Sequence, residues 1–132
     1  SSLYFAANVL DDVLVFERAG NTLYETDALE FWLGNKQFAA SFTEGVSVVH
    51  QFPFSGEGID VSLLEYAVTY TDTGYSLEVR VSLELLPSQT KIAFAIGVDD
   101  ADEEEGAAVA QLYYPEGWAW GDTNTYAAGT VQ

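Results

Sequence analysis

Hydrophobic and polar positions alternate along most of this chain. In 75–85, Tyr75, Leu77, Val79, Val81, Leu83 and Leu85 fall on one side, and Ser76, Glu78, Arg80, Ser82 and Glu84 on the other. A period of two belongs to a strand with one dry and one wet face, as in antiparallel sheets. Residues 91–98 differ: Ile92, Phe94, Ile96 and Val98 alternate with Ala93, Ala95 and Gly97. Neither side is polar, so the pattern predicts a central, buried strand. Further strands are predicted at 3–10, 12–18, 28–33, 36–42, 46–52, 65–71, 107–113 and 126–131. Turn-forming stretches separate them: Ala19-Gly20-Asn21, Gly34-Asn35, Glu44-Gly45, Ser55 to Gly58, Asp72-Thr73-Gly74 and Pro87-Ser88. No helical period is present, and Asp60–Leu64 is predicted to form at most one short turn. Many short strands at such spacing predict an all-β fold, an antiparallel, jelly-roll-like β-sandwich.

The 132 residues suit a single domain over 1–132, without repeat or linker. The chain runs from Ser1-Ser2 straight into a strand, which reads as a processed or excised piece of a larger protein. Its 8 Tyr, 8 Phe and 3 Trp exceed what a minimal core needs, so some aromatics are expected on the surface. Charge changes the picture most. Against 21 acidic residues stand only Arg18, Lys36, Arg80 and Lys91, a net charge of −17. Such a field repels nucleic acid and anionic membranes and attracts divalent cations. The same surface resembles that of salt-adapted proteins; solubility alone is the other reading. No cysteine is present, which excludes disulfides, thiolate metal sites and a thiol nucleophile. No apolar run approaches the ~20 residues of a membrane span, and no signal peptide is recognisable. A secreted or cell-surface setting without membrane insertion is the expectation.

Enzyme signatures are missing. The single histidine, His50, lies in a β-branched run and reads as structural. There is no G-x-S-x-G, phosphate-cradling loop or zinc-spaced His pair. Carboxylate pairs are too numerous here for any one of them to signal a glycosidase. The run Asp99-Asp100-Ala101-Asp102-Glu103-Glu104-Glu105 could wrap a hard cation such as Ca²⁺, or be a solvated acidic loop. Asp11-Asp12 and Asp27 close or open strands in a similar way. Trp118 and Trp120 lie in a Pro- and Gly-bearing loop that ends at Asp122. Such a loop can present a flat apolar face to a sugar ring, with nearby carboxylates binding hydroxyls. One Trp is expected to plug the end of the sandwich and the other to face solvent. Trp32 points opposite to Phe31, toward a second layer or a partner.

Five segments, in order from Leu3 to Val131, resemble the family 9 carbohydrate-binding modules. They are Leu3 to Asp11, Tyr24 to Leu33, Gly74 to Val79, Ile92 to Asp102, and Trp120-Gly121-Asp122 followed by a last strand. The resemblance implies a β-sandwich of the carbohydrate-module type. It implies non-catalytic binding of a polysaccharide or glycan between two aromatic side chains, and structural Ca²⁺. Trp120 matches one clamp aromatic. Tyr24 stands where the other clamp Trp is found, with Glu25 beside it as a hydroxyl acceptor and Trp118 and Asp122 nearby. Asp11, Asp27, Asp99, Asp100 and Asp102 are the candidate Ca²⁺ ligands. Two departures stand out. Ala39 and Ser41 occupy positions where sugar-binding members carry Arg and Asn, and the family's opening strands have no counterpart. A sandwich short of an edge strand could be completed by a partner β-strand or parent-chain domain. The second reading is therefore a structural domain of a secreted or cell-surface assembly.

Overall fold

The protein is described by a computed structural model covering residues 2–16, 18–43, 45–53, 60–85, 91–102 and 110–130. Its strands are β1 (Ser2–Leu10), β2 (Ala28–Leu33), β3 (Lys36–Thr43), β4 (Val46–Gln51), β5 (Leu64–Thr71), β6 (Gly74–Ser82), β7 (Lys91–Asp100), β8 (Ala110–Tyr114) and β9 (Ala127–Thr130). Every described pairing is antiparallel. A 3-stranded sheet runs β1-β6-β5, and a 6-stranded sheet runs β4-β3-β2-β7-β8, with β9 also on β7. β8 and β9 share one edge of β7: Ile96 to Asp100 face β8, and Lys91 to Phe94 face β9.

The antiparallel β-sandwich is thus as the alternation predicts. The dry face of β6, with Tyr75, Leu77, Val79 and Val81, meets Leu29, Phe31 and Leu33 of β2 and Phe38, Ala40 and Phe42 of β3. Phe31 stacks on Phe38 at 4.9 Å between ring centroids and meets Phe5 of β1 at 5.4 Å. β7 is central and apolar on both sides, flanked by β2 and by β8 with β9. β2 is buried along its whole length, because an outer aromatic layer covers its second face.

Several local expectations are corrected. Of the strand expected at 12–18, the described residues, 12–16 and Arg18, form none. Val15 instead bonds to the start of β2, where Asp27 N–H and the Thr26 hydroxyl both donate to its carbonyl. Those side-chain and backbone partners replace a ladder. Gly20–Glu25 is a 3-10 helix. β6 stops at Ser82, and Leu83–Leu85 form a further 3-10 turn. The short turn expected near 60–64 is the 3-10 helix Val61–Leu63, capped by Asp60. The turns expected at 55–58 and 87–88, Glu44, the start of the 107–113 strand and Glu103 to Glu105 lie outside the described residues.

Two substitutions test this architecture. Phe31→Ala removes the side chain on which three strands meet and is expected to cost about 3–5 kcal/mol in a denaturant titration. Gly74 has a φ of +138°, and a Cβ there would lie 1.9 Å from the Val9 carbonyl oxygen. Gly74→Ala is expected to destabilise by at least about 1–3 kcal/mol and to raise hydrogen exchange first in β1.

Candidate functional site

Two places on the sandwich concentrate chemistry, and the alternation of β2 and β7 creates both. Side chains of odd parity on β2 go to the core. Those of even parity, Ala28, Glu30 and Trp32, go to the outer face of the large sheet. There they join Gln37, Ala39 and Ser41 of β3 and Asp99 and Gly97 of β7, their cross-strand neighbours. Ser41 is spent locally, its hydroxyl donating to the Asp27 carbonyl at 2.5 Å. Ala39 is fully buried and offers no polar atom.

The first place is this outer face. Trp120 is 60% exposed, and its Nε1–H donates to Gln37 Oε1 at 3.0 Å. Gln37 Nε2 in turn donates to Glu30 Oε1 at 2.7 Å. Asp99, on the neighbouring strand, accepts from Gln111 Nε2 at 2.6 Å. Glu30 and Asp99 are both buried; burial pushes both carboxyls up, and the charge of Glu30 pushes Asp99 further. The buried Asp99 Oδ2 and Trp32 Nε1 have no partner within the described residues. Buried polar atoms left over on one face are places for a polar ligand or water. Tyr24, 41% exposed, stands on the 3-10 helix Gly20–Glu25 and packs on Phe52 at 6.3 Å. Its hydroxyl is pushed up by a hydrogen bond to Glu25 and by that group's charge, with burial and Glu30 adding to the effect. Trp120 thus reaches the Gln37–Glu30 pair through a hydrogen bond, while Tyr24 rests on Phe52.

The two tryptophans divide as expected. Trp118 is part-buried, stacked on Tyr113 at 4.2 Å and tilted against Trp32 at 4.7 Å. It props the loop on the sheet, while Trp120 faces out. Asp122 accepts from the N–H and the side-chain amide of Asn124 and shapes the Trp loop. Glu25 pairs with Arg18 at 3.8 Å, at the rim. His50 lies across from Ala39, 2.8 Å from Asn21 Oδ1 and edge-on to Phe52, as a structural histidine would. Gln37, Gln111 and the polar role of Glu30 were missed by sequence reasoning. The available signal was Glu30 and Trp32 on one side of a strand otherwise apolar.

The second place lies where β1 ends, β2 begins and β7 ends. Asp11, Asp27 and Asp100 each offer a carboxylate oxygen, and these lie within 4.8 Å of one another. Asp27 is fully buried: its Oδ2 accepts from Val15 N–H at 2.5 Å and its Oδ1 from Ala101 N–H at 2.8 Å. The buried hydroxyl of Tyr75 has no partner within the described residues, and the carboxylates of Asp27, Asp99, Asp11 and Asp100 add to the burial that raises its pKa. Three carboxylate oxygens of like charge within 4.8 Å of one another suit a hard cation such as Ca²⁺. Asp99 is not brought into this group. One step along β7 from Asp100 reverses its side chain, which turns to Gln111 on the outer face. Asp102 is exposed and also stands outside the group.

The profile of the family described as carbohydrate family 9 binding domain-like matches residues 1–132. A solved carbohydrate binding module family 9 from Caldicellulosiruptor kristjanssonii in complex with glucose superposes with a TM-score of 0.71 at 19% identity, over 99% of this chain and 71% of that one. A second structure from that organism, a family 9 module in complex with cellotriose, gives a TM-score of 0.59 at 18% identity, over 83% of this chain and 57% of that one. No curated protein matches the sequence.

The carboxylate group near β1 sets a pH dependence with a definite sign. Burial raises Asp27 from 3.8 to about 6, against the opposing hydrogen bonds from Ala101 and Val15, with Asp11 and Asp100 adding to the rise. On raising the pH, the unfolded chain loses this proton before the folded one. In chelator, the Asp27 contribution to stability is thus expected to be lost as pH rises from about 4 to about 6, and the raised carboxyls of Glu30 and Asp99 continue the fall above that. A cation bound only to the native, ionised site raises stability. Added Ca²⁺ is expected to raise Tm at pH 7.5 and to lose that effect near pH 5. A Tm indifferent to Ca²⁺ at pH 7.5 argues against a structural cation.

Proposed function

This chain belongs to the carbohydrate family 9 binding domain-like family, and on that premise we propose that a sugar ring is held between Trp120 and Tyr24 over the Gln37–Glu30 pair. Its function is non-catalytic carbohydrate binding. The observation that carries the site is the anchored Trp120: a large exposed aromatic fixed through Gln37 to a buried carboxylate. An aromatic face meets the C–H face of a pyranose, and a fixed ring loses little freedom on binding. Glu30, Gln37 and the unpartnered Asp99 oxygen supply acceptors and donors for hydroxyls, with Glu25 at the rim. Trp118 and Asp122 support the loop. Gln37 and Glu30 restore polar groups that Ala39 and Ser41 do not provide.

The bound states of the two solved neighbours, glucose and cellotriose, make β-linked glucose oligomers the first ligands to try. We read the domain as an accessory unit directing a larger protein to a polysaccharide or glycan outside the cell. Among the described residues no helix is long and apolar enough to cross a membrane. Ca²⁺ bound by Asp11, Asp27 and Asp100 would tie β1 and the loop after it to β2 and β7. The reading as a structural domain completed by a partner strand concerns the β1 edge, on another side of the molecule, and is compatible with sugar binding.

Titration with glucose, cello-oligosaccharides and xylo-oligosaccharides, followed by tryptophan fluorescence, tests the site. Saturable binding is expected. Trp120→Ala is expected to weaken it at least about fivefold without lowering Tm, since losing an aromatic contact costs about 1 kcal/mol or more. Glu30→Gln removes a charged acceptor and is expected to weaken binding about 10- to 100-fold. No saturable change across these sugars sinks the proposed clamp.

A further inference from the structure

The outer face of the large sheet holds two orphaned polar atoms of opposite kind. Asp99 Oδ2 is an acceptor and Trp32 Nε1–H is a donor. Both residues are buried, at 0% and 2% exposure, and neither atom has a partner among the described residues. Cross-strand register sets them in nearby rows of one face. Asp99 lies between Ala28 of β2 and Gln111 of β8. Glu30 lies in the next row, between Ala39 of β3 and Gly97 of β7, and Trp32 in the row after, between Gln37 and Ala95. Tyr113 stands opposite Gly97 and closes the row of Glu30. A Cβ at Gly97 would lie 2.5 Å from the Tyr113 ring and 3.4 Å from Trp32, so both rings rest against the bare backbone there. Burial raises the Tyr113 hydroxyl, and the charges of Glu30 and Asp99 raise it further, which puts it in the field of both carboxyls.

The charge of this face is one-sided. Glu30 accepts from Gln37 and Asp99 from Gln111, both neutral amides. The chain's 4 basic residues stand elsewhere. Arg18 pairs with Glu25, and Arg80 with Glu65 on the small sheet. Lys91 opens β7 beside β9, at the far end from Asp99, and Lys36 stands opposite Leu33, on the core-side parity. Buried carboxyls held by neutral groups gain most from a ligand that brings a positive charge. We propose that the ligand of this face is an amino sugar, a glycan whose free ammonium lies between Glu30 and Asp99 while an oxygen of the same ring accepts from Trp32 Nε1–H. The proposal rests on this face being the sugar site and names the kind of sugar. A bare metal cation cannot accept from an indole N–H, and it finds two carboxylates where Ca²⁺ takes about six to eight oxygens. An alkyl amine such as a lysine side chain fills the carboxyl side alone. An amino sugar carries a cationic donor and oxygen acceptors on one rigid ring. Its C–H face suits Trp120, and its ammonium is drawn to aromatic rings as well. The net charge of −17 attracts a polycationic glycan and repels uronic acid and sulfated ones.

Tryptophan fluorescence of the whole domain tests this with three β-linked trimers that differ at one carbon of each ring. Cellotriose carries a hydroxyl there, the glucosamine trimer an ammonium, and its N-acetylated form an uncharged amide. The glucosamine trimer is expected to bind at least about tenfold tighter than cellotriose, the N-acetylated trimer no tighter, and trilysine at least about tenfold weaker than the glucosamine trimer. The preference for the ammonium is expected to persist in about 1 M NaCl, because buried charges are little screened. Glu30→Gln and Asp99→Asn keep the shape of each side chain and remove one charge. In both, the ratio of the glucosamine to the cellotriose affinity is expected to fall at least about fivefold, whatever becomes of cellotriose binding itself. Saturable cellotriose binding without a preference for the glucosamine trimer overturns the proposal and leaves the sugar site standing. A preference that disappears in high salt, or that both variants retain, belongs to the net charge and overturns it. Trilysine binding as tightly as the glucosamine trimer assigns the face to a basic peptide and also overturns it. Absence of binding by every trimer overturns the sugar site and the proposal together.

Discussion

The structure depends on one buried carboxylate. Asp27 is inaccessible to solvent, and both its oxygens accept backbone N–H groups, from Val15 and from Ala101. Its own N–H donates to the Val15 carbonyl, and its carbonyl accepts from Ser41. One residue thereby ties the loop after β1, the start of β2, β3 and the end of β7. Burying a charge is costly unless hydrogen bonds or a counter-charge meet it. The backbone donors meet part of that cost, and the approach of Asp11 and Asp100 adds to it. Three carboxylates of like charge thus meet where β1 ends, β2 begins and β7 ends.

The register that Asp27 fixes at the start of β2 decides what the sheet presents. A shift of one residue would send Glu30 and Trp32 into the core and Phe31 out to the outer face. In the observed register Phe31 stacks on Phe38 within the sandwich, while Glu30 receives Gln37 and Trp32 supports Trp118. The outer face is a second, polar-cored layer: carboxylates at the bottom, amides above them, aromatic rings around the rim. The small sheet serves the opposite function. Among the described residues its apolar face fills the core over β2, β3 and β7 and stops short of β8 and β9.

Much of the architecture was legible in the sequence because strand alternation is a local signal. The wet and dry faces of 75–82, the two-sided apolar pattern of 91–98 and the Pro- and Gly-bearing loop around Trp118 and Trp120 all reappear where the pattern puts them. The errors share one cause. Residues 12–18 have strand-like composition, but the partners of Val15 are the side chains and backbone of Thr26 and Asp27, which are more than ten positions away. No local period records such a bond. Gly20–Glu25 is too short to show a helical period at all.

The sequence by itself determined the all-β class, the aromatic surface, the absence of cysteine and metal-spaced histidine chemistry, and that one of Trp118 and Trp120 packs inward while the other faces solvent, but not which. These follow from composition and from a period of two, which act over a few residues. Only the tertiary structure decided which acidic residues meet. Asp99 and Asp100 are neighbours in the chain, yet the pleat of β7 sends one to the outer face and the other to Asp11 and Asp27. The sheet likewise brought Gln37 under Trp120, 83 residues apart. Cross-strand register and the reversal of side chains at each step set these meetings, and both are properties of paired strands rather than of any one segment.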